Sequence, residues 1–377
     1  MSSPPPSQSG DVAPSPATKQ IAHGPVAIHL APARRARPKD ADLVFGRVFT
    51  DHMAMADYDA DRGGWYDPRV VPYGPMALDP AAAVLHYAQE MFDGLKAFRG
   101  ADGKVRIFRL DRHCKRLQDG APRLCIPAVP EELSRAAITA LVDTDRDWVP
   151  ASSGTSLYIR PTVIATEPFL GVRPAKKYVF FVIASPVGGY HGDAFTPARI
   201  LVEDKYVRAA VGGLGGVKAG ANYIASLRAA EDAKARGYAQ VLWTDAHEHS
   251  YLEEVGTMNM VALIGDEIVT PPLSGSILDG VTRNSIMTLL REWGFAVSER
   301  PLGMEELLRA HKGGTLKEIF GCGTAAVITP VGTLGWKGED LVINGGQPGE
   351  VARRLFEAIT AIQYGRAPDT HGWMTEV

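Results

Sequence analysis

The chain has 377 residues, 45% of them hydrophobic and 22% charged, and its formal net charge is −3. This length suits two domains of roughly 100–200 residues each. The charge gives no indication of nucleic-acid binding, and the longest apolar runs are shorter than the ~20 residues of a membrane-spanning helix. Three cysteines without a C-x-x-C pair indicate neither a disulfide framework nor a cysteine zinc site, and a reducing, cytoplasmic setting is expected.

The first elements in chain order mix strands and helices. Residues 1–25 are rich in Pro and Ser and lack the apolar core of a signal peptide, so a disordered tail is expected there. Asp102-Gly103 predicts the turn of a β-hairpin. Helices are expected from about Asp111 and over 131–142, and strands over 156–166 and 178–184. We assign residues 26–184 to a small α/β domain.

A segment with glycines and prolines but no periodic pattern, residues 185–197, is the predicted linker to a larger domain over 198–377. The larger domain is expected to open with a strand near Ile200. A helix is predicted from about Asn222 to Arg236, with Gly237 as its stop. The remaining predictions are a hairpin from Gln240–Asp245 and the chain after Tyr251, and an amphipathic helix carrying Ile286, Leu289, Leu290 and Trp293.

The glycine-rich stretch Val211–Tyr223, here called the lysine segment, contains Lys218. A phosphate loop would need Gly before this lysine and Ser or Thr after it, but Val217 and Ala219 stand there. The dinucleotide pattern fails as well, because Lys218 takes the place of the third glycine. Two interpretations remain open from this segment alone: an imine-forming lysine, or a solvated lysine on a flexible surface loop.

Two other motifs have competing interpretations. Residues 321–326 fit G-x-G-x-x-A, but no full βαβ unit follows, so a phosphate cradle of backbone amides with the Thr324 hydroxyl is favoured over a dinucleotide site. His247-Glu248-His249 could suggest a metal, but a solvated hairpin turn is the better explanation. No metal is expected, and no G-x-S-x-G elbow of a serine hydrolase is present.

Several segments together resemble branched-chain aminotransferases, which are fold-type IV pyridoxal-phosphate enzymes. They occur in the order of that family and cover nearly everything except the tail. The motif EVGTMN, followed downstream by a glycine-threonine loop, is specific to the family. The segments are Phe45–Met53, Leu85–Gly100, Tyr158–Val172, the lysine segment, Glu254–Asn259, Leu278–Arg283 and Phe320–Ala325.

The resemblance implies a mixed α/β fold of two domains, with pyridoxal 5′-phosphate in the cleft between them. Lys218 would form the aldimine with the cofactor and then move a proton between Cα and C4′. Both tasks need an unprotonated amine near neutral pH, and therefore a depressed pKa. Glu254 would face the pyridine nitrogen and keep it protonated. Tyr223 would hydrogen-bond the 3′ oxygen.

The same resemblance implies a phosphate site. Arg116 matches the family's phosphate-binding arginine, although Arg112 and Lys115 are basic neighbours in the same stretch. A helix N-terminus with hydroxyl groups would complete the site, since such a terminus favours a dianion. The residues expected there are Val281, Thr282 and Thr324.

Substrate is expected on the other face of the cofactor ring, beside an apolar wall suited to Leu, Ile and Val side chains. Arg160, with Tyr158, would bind the second carboxylate of glutamate. The backbone around Thr257 and Ala325 would bind the α-carboxylate. By resemblance the wall consists of Phe49, Tyr87, Phe92, Tyr158 and Tyr190.

Leu170 and Val172 match a loop that reaches the neighbouring subunit's site in the family, so at least a homodimer is expected. The implied reaction is ping-pong transfer of an amino group between Leu, Ile or Val and 2-oxoglutarate. The alternatives are a D-amino-acid aminotransferase or aminodeoxychorismate lyase of the same fold type. More distant alternatives are a non-catalytic metabolite-binding relative and a nucleotide-binding dehydrogenase.

Overall fold

The computed structural model describes residues 26–188 and 195–377. The predicted tail over 1–25, and Tyr190, lie outside these residues. Across both described ranges, no helix has the length and apolar character needed to cross a bilayer. Within the same ranges, two mixed sheets of nine strands each form the framework, with eight α-helices packed on them.

The first sheet is built mostly by the first half of the chain. Its strand order is β1-β3-β2-β8-β7-β5-β6-β18, and β4 pairs with β7 beside this path. Most neighbours are antiparallel, as expected for strands joined by short connections. The strands are β1 (Ala27–Ile28), β2 (His52–Asp59), β3 (Gly64–Pro72), β4 (Glu90–Phe92), β5 (Leu95–Arg99), β6 (Val105–Phe108), β7 (Ser156–Ala165), β8 (Lys177–Val187) and β18 (Met374–Glu376).

Three helices belong to this half: α1 (Ala83–Tyr87), α2 (Leu110–Gly120) and α3 (Glu131–Thr144). Helix α3 places Ile138 and Leu141 in the core against β2, β3 and β8. Strand residues alternate in the same way, so that Leu95 and Ala97 are fully buried there while Lys96 points to the opposite face. That opposite face of the sheet contributes to the site described below.

The second sheet follows the order β11-β10-β9-β16-β15-β12-β13-β14, with β17 paired to β16. An additional pairing between β11 and β12 closes six of these strands into a ring, and closure of this kind removes exposed strand edges. The strands are β9 (Ala198–Glu203), β10 (Gln240–Thr244), β11 (Leu252–Val255), β12 (Met258–Ile264), β13 (Glu267–Thr270), β14 (Ala296–Glu299), β15 (Leu316–Gly323), β16 (Val327–Trp336) and β17 (Glu339–Val342).

Both faces of the second sheet are covered. The helices of this half are α4 (Gly220–Ile224), α5 (Leu227–Ala235), α6 (Val281–Glu292), α7 (Met304–Lys312) and α8 (Glu350–Gln363). In β9, Ile200 and Val202 enter one core with helix α7, whereas Leu201 enters another with helix α5. This alternation explains why the strand is apolar at successive positions.

The two halves share one apolar cluster. Phe98 and Phe108 of the first sheet pack with Ile286 and Leu290 of α6. In addition, the last strand, β18, pairs with β6, with Met374 opposite Phe108. The chain therefore returns to the first sheet at its end. The division into domains at 26–184 and 198–377 stays a prediction. It assigned the last strand to the second domain and did not foresee that this strand pairs with the first sheet.

Most elements expected from the sequence are present. The hairpin at Asp102-Gly103 is confirmed by the pairing of β5 with β6, and the hairpin after Gln240 by that of β10 with β11. Strand β8 runs to Val187, three residues into the predicted linker. The single helix over 222–236 is wrong. It is divided near Ser226, whose hydroxyl donates to the Tyr223 carbonyl at 2.7 Å and competes with helical bonding.

Candidate active site

A cavity of about 210 Å³ opens between the two sheets. The first half of the chain supplies aromatic and basic side chains, and the lysine segment supplies Lys218 and Tyr223. Strands and turns of the second sheet, with the start of α6, supply the remaining wall. The lining residues are Phe45, Phe92, Gly94, Arg116, Tyr158, Arg160, Lys218, Tyr223, Gln240, Thr257, Met258, Asn259, Leu278, Gly280, Val281, Thr282, Cys322, Gly323, Thr324, Ala325 and Ala326.

Lys218 projects its amine into this cavity. Its Nζ donates to Tyr223 Oη at 2.7 Å. Burial and the nearby positive charge of Arg116 lower the pKa of Lys218 to about 8. Burial also raises the pKa of Tyr223 to about 12, so this hydroxyl stays protonated near neutral pH. The lysine amine is thus readily available in its neutral, nucleophilic form.

Arg116 lies at one end of the cavity and is held by Asp93. Its Nε and Nη2 donate to the two Asp93 oxygens at 2.8 and 2.7 Å, and its Nη1 donates to the Asp279 carbonyl at 3.0 Å. Burial alone would raise the pKa of Asp93, but Arg116 and His113 hold it well below its usual range. Arg112 and Lys115 do not line the cavity. They face a separate surface groove, where each pairs with an aspartate.

Helix α6 begins at the same end of the cavity. Its N-cap is Gly280, and no side chain caps the helix there, so the first amides are left for another acceptor. A Cβ at Gly280 would lie 1.9 Å from Asn259 Oδ1, which explains the glycine. Val281 and Thr282 of the first turn line the cavity together with Thr324. Amides, hydroxyls and a guanidinium therefore converge where an anion can bind.

Glu254 is buried on β11 behind the cavity wall and is not itself a lining residue. Its Oε1 accepts the Leu278 amide at 2.8 Å, and Oε2 lies 3.2 Å from Arg208 Nε in an ion pair. Burial raises the pKa of Glu254, although Arg208 opposes this shift. Arg208 lies three residues before the lysine segment, but no motif gave it a role, so it could not be identified from the sequence.

The opposite end of the cavity combines aromatic rings with a cation. Arg160 Nη2 donates to Tyr158 Oη at 3.0 Å, and its guanidinium lies 4.5 Å from the centroid of the Phe92 ring. Within residues 26–188 and 195–377, Arg160 forms no ion pair with a carboxylate. Gly94 leaves room for Tyr158, since a Cβ there would lie 2.0 Å from its hydroxyl. Thr257 and Ala325 line the same cavity.

Some residues expected in the substrate wall do not line the cavity of the single chain. Phe49 stacks on Tyr73, with ring centroids 5.1 Å apart, and Tyr87 donates its hydroxyl to the Leu170 carbonyl. Leu170 and Val172 are exposed by 59% and 87%. Tyr190 lies outside the described residues. The roles of these residues stay predictions.

Other lining residues received no role from the sequence. Phe45 contacts Tyr158 edge-on, and Met258 packs where side chains at Gly321 and Gly323 would otherwise stand. Phe45 and Asn259 fall inside two of the segments that carry the family resemblance. The sequence therefore marked these positions, but it did not indicate what their side chains do. Gln240, by contrast, stands in an ordinary strand pattern and could not have been singled out.

The fold bears on the alternative interpretations of two motifs. Strand β15 ends at Gly323 and pairs antiparallel with β16, so residues 321–326 comprise the end of a strand and a hairpin turn, not the strand-to-helix turn of a dinucleotide site. His249 Nδ1 shares a hydrogen bond with Thr244 Oγ1 at 2.9 Å. Among the residues described, no cluster of three or more His, Cys, Asp or Glu could hold a metal.

Comparison with known proteins decides the family. The profile described as "Amino-transferase class IV" matches residues 90–334. The chain is 50% identical to branched-chain-amino-acid aminotransferase 2 of Bacillus subtilis over 352 residues, which is 93% of this chain and 97% of that protein. This chain belongs to the class IV aminotransferases.

Solved structures of class IV aminotransferases share the fold. The branched-chain amino acid aminotransferase from T.th., with pyridoxamine 5′-phosphate, is 29% identical and superimposes with a TM-score of 0.70, over 85% of this chain and 98% of that one. The same enzyme complexed with N-(5′-phosphopyridoxyl)-L-glutamate is 28% identical and gives a TM-score of 0.68 over the same shares. The expected family and the two-domain α/β fold of type IV are confirmed.

Proposed function

We propose that this class IV aminotransferase transfers the amino group of L-leucine, L-isoleucine or L-valine to 2-oxoglutarate, with pyridoxal 5′-phosphate as its cofactor. The observation that carries the proposal is the buried amine of Lys218, with its pKa lowered to about 8, in a cavity whose far end offers uncapped helix amides. The similar proteins of known structure are named branched-chain amino acid aminotransferases, and they were solved with pyridoxamine 5′-phosphate or a phosphopyridoxyl group. These names support the proposed substrates and the proposed cofactor.

The described residues fit this cofactor. The anion site made by Arg116, Thr282, Thr324 and the first amides of α6 suits a phosphate. Lys218 faces the same cavity and can bond covalently to a carbonyl carbon. When bound, pyridoxal 5′-phosphate supplies a carbonyl that accepts the amino group and a ring that withdraws electrons from the substrate Cα.

Each polar residue then has a task. Lys218 carries the proton to and from the substrate Cα, since an amine with a pKa of about 8 both accepts and releases protons near neutral pH. Tyr223 holds that amine through its hydroxyl at 2.7 Å. Glu254, fixed by Arg208 and the Leu278 amide, supplies a buried carboxylate that can hold a proton on a pyridine nitrogen.

The substrate end of the cavity accepts two kinds of side chain. Phe92 and Tyr158 form apolar surface against which a branched side chain is buried. Arg160, which has no carboxylate partner among the described residues, binds the second carboxylate of glutamate or 2-oxoglutarate. The Thr257 and Ala325 backbone binds the α-carboxylate that both substrates share.

A second copy of the chain completes the site in this proposal. Tyr87, Leu170 and Val172 form one exposed patch, joined by the bond from the Tyr87 hydroxyl to Leu170. Exposed apolar surface of this kind is typical of an interface. The patch would therefore extend the apolar wall of a neighbouring subunit, in a homodimer that acts in the cytoplasm.

The test is the absorbance spectrum of the purified protein in two half-reactions. L-leucine should convert the cofactor band to that of pyridoxamine phosphate, and 2-oxoglutarate should restore it. A band that ignores L-leucine but responds to D-alanine would contradict the proposed substrate. Absence of any cofactor band after addition of pyridoxal 5′-phosphate would contradict the role given to Lys218.

A further inference from the structure

The lysine segment needs an external support. It is rich in glycine, which gives the backbone many accessible conformations, yet the amine of Lys218 must stay at one place. Part of the support is internal, because Asn222 Nδ2 donates to the carbonyls of Leu214 and Val217 at 2.8 and 2.9 Å. Around the lysine itself, further support comes from the first sheet.

Strand β4 provides this support with alternate residues. Met91 is buried at 1% exposure in the core of the first sheet, so Glu90 and Phe92 point to the other side of the strand. There the Phe92 amide donates to the Lys218 carbonyl at 3.0 Å, and Glu90 Oε1 accepts the Gly220 amide at 2.5 Å. The backbone that follows the Cα of Lys218 is thus attached at two points, the Lys218 carbonyl and the Gly220 amide, to one short strand.

The contact between Glu90 and Gly220 is so close that it explains why residue 220 is a glycine opposite Glu90. A Cβ at Gly220 would lie 2.0 Å from Glu90 Oε1. The φ of Gly220 is not positive, so the glycine is explained by this approach and not by an unusual backbone conformation. Strand β4 is itself fixed, because Glu90 pairs with Ile164 of β7.

Glu90 has no other evident task. Through the described ranges it forms no ion pair, although Arg160 is near enough to attract its charge. Burial raises the pKa of Glu90, so the carboxylate is held there against a desolvation cost. A carboxylate that accepts a backbone amide at this distance makes one of the stronger hydrogen bonds of a protein.

We propose that Glu90 is a positioning residue for Lys218, which fixes the lysine segment by accepting the Gly220 amide. The inference rests on the proposed function in one respect, namely that Lys218 is the reactive amine. Glu90 acts through the backbone and takes no part in proton transfer. Its removal loosens the segment without unfolding the sheets.

Hydrogen–deuterium exchange of the full chain tests this, in cofactor-free and cofactor-loaded protein, over the peptide that spans residues 218–226. Glu90→Ala should raise the exchange rate of this peptide by at least roughly tenfold, because a bond to a charged acceptor is lost. Glu90→Gln keeps an acceptor oxygen and should stay within about threefold of the unchanged protein. Exchange does not require turnover, so it is independent of whether the substrate assignment holds.

The matched control is Glu318→Ala. Glu318 is also a buried glutamate that accepts amides, those of Val351 and Ala352 at 2.9 and 3.0 Å, but it serves helix α8. It should leave exchange over 218–226 unchanged. Equal exchange in Glu90→Ala and the unchanged protein would overturn the proposal, and so would an increase that Glu318→Ala reproduces.

A double-mutant cycle tests the contact itself. Gly220→Ala should raise exchange over 218–226 by roughly threefold or more, because its methyl group cannot coexist with the Glu90 oxygen. Once Glu90 is alanine the space is free, and the same substitution should change exchange by less than about twofold. Additive effects of the two substitutions would show that the residues do not act on each other, and would contradict the assignment.

Discussion

The two ends of the cavity differ in how their positive charges are balanced. At the proposed cofactor end Arg116 is paired with Asp93, and Arg208 with Glu254, and all four are largely buried. At the proposed substrate end Arg160 forms no ion pair within the described residues. Paired charges keep a fixed geometry for a group that stays bound, whereas unpaired cations leave their attraction available to a carboxylate that comes and goes.

The largest effect is expected from removing the amine between these ends. Lys218→Ala should lower transamination of L-leucine by on the order of 10⁴-fold or more, because both the covalent attachment and the proton carrier are lost. Single-turnover absorbance of each half-reaction provides the measurement. Turnover within about tenfold of the unchanged protein would remove Lys218 from the mechanism.

Breaking a charge pair at the cofactor end should cost stability. Asp93→Asn leaves Arg116 buried without its anion, which typically destabilises by about 3–5 kcal/mol. Urea unfolding of the cofactor-free protein measures this loss. The control is Asp102→Asn, whose exposed carboxylate also binds an arginine, Arg106, and which should cost far less.

The same variant has a pH signature. The pKa of Asp93 is held below its ordinary value in the folded chain. Ionised Asp93 therefore stabilises the folded protein when the pH is above the pKa that this carboxyl has in the unfolded chain. The contribution is lost as the pH falls through the lower pKa of the folded chain. Stability of the unchanged protein should therefore fall more steeply than that of Asp93→Asn as the pH drops below about 4. Parallel curves would contradict the pairing.

At the substrate end, Arg160 should matter more for 2-oxoglutarate than for L-leucine. Arg160→Gln is expected to raise the KM for 2-oxoglutarate on the order of 100-fold, because a carboxylate loses its charged partner. The L-leucine half-reaction of the same protein is the internal control and should change by less than about tenfold. An equal loss for both substrates would mean that Arg160 does not distinguish them.

The last effect concerns the buried amine of Lys96. Its Nζ donates to the Ala325 carbonyl at 2.6 Å, and burial lowers its pKa to about 8. An unfolded lysine keeps its proton to about pH 10.4. The free energy of unfolding should therefore rise by roughly 1.4 kcal/mol per pH unit between about pH 8 and pH 10.4. In cofactor-free protein, Lys96→Met should lack this one-proton slope between about pH 8 and 10. An unchanged slope would show that Lys96 does not titrate there.

Local signals in the sequence were sufficient for much of the fold. The Asp102-Gly103 turn and the strand near Ile200 depend on neighbouring residues only, and both are confirmed. The division of the helix near Ser226 could not be read, because the sequence does not show that the Ser226 hydroxyl bonds to the Tyr223 carbonyl.

The site divides in a similar way. Lys218, Tyr223 and Thr324 stand in contiguous motifs, and the structure gathers them in one cavity. The roles of Glu90 and Arg208 could not be read from the sequence, because their partners Gly220 and Glu254 lie 130 and 46 positions away. A single sequence records residue types along the chain but not which distant positions meet.

The return of the last strand to the first sheet has a consequence for folding during synthesis. Strand β6 stays an uncovered edge until residues 374–376 arrive, because no earlier strand of the described chain pairs with that side of it. The first half can therefore collapse early, but its sheet is complete only when residues 374–376 are free to dock. Such a contact between distant positions forms slowly, and an open edge can pair with other chains in the meantime. The first sheet is thus completed only after residues 374–376 have been synthesised and have paired with β6.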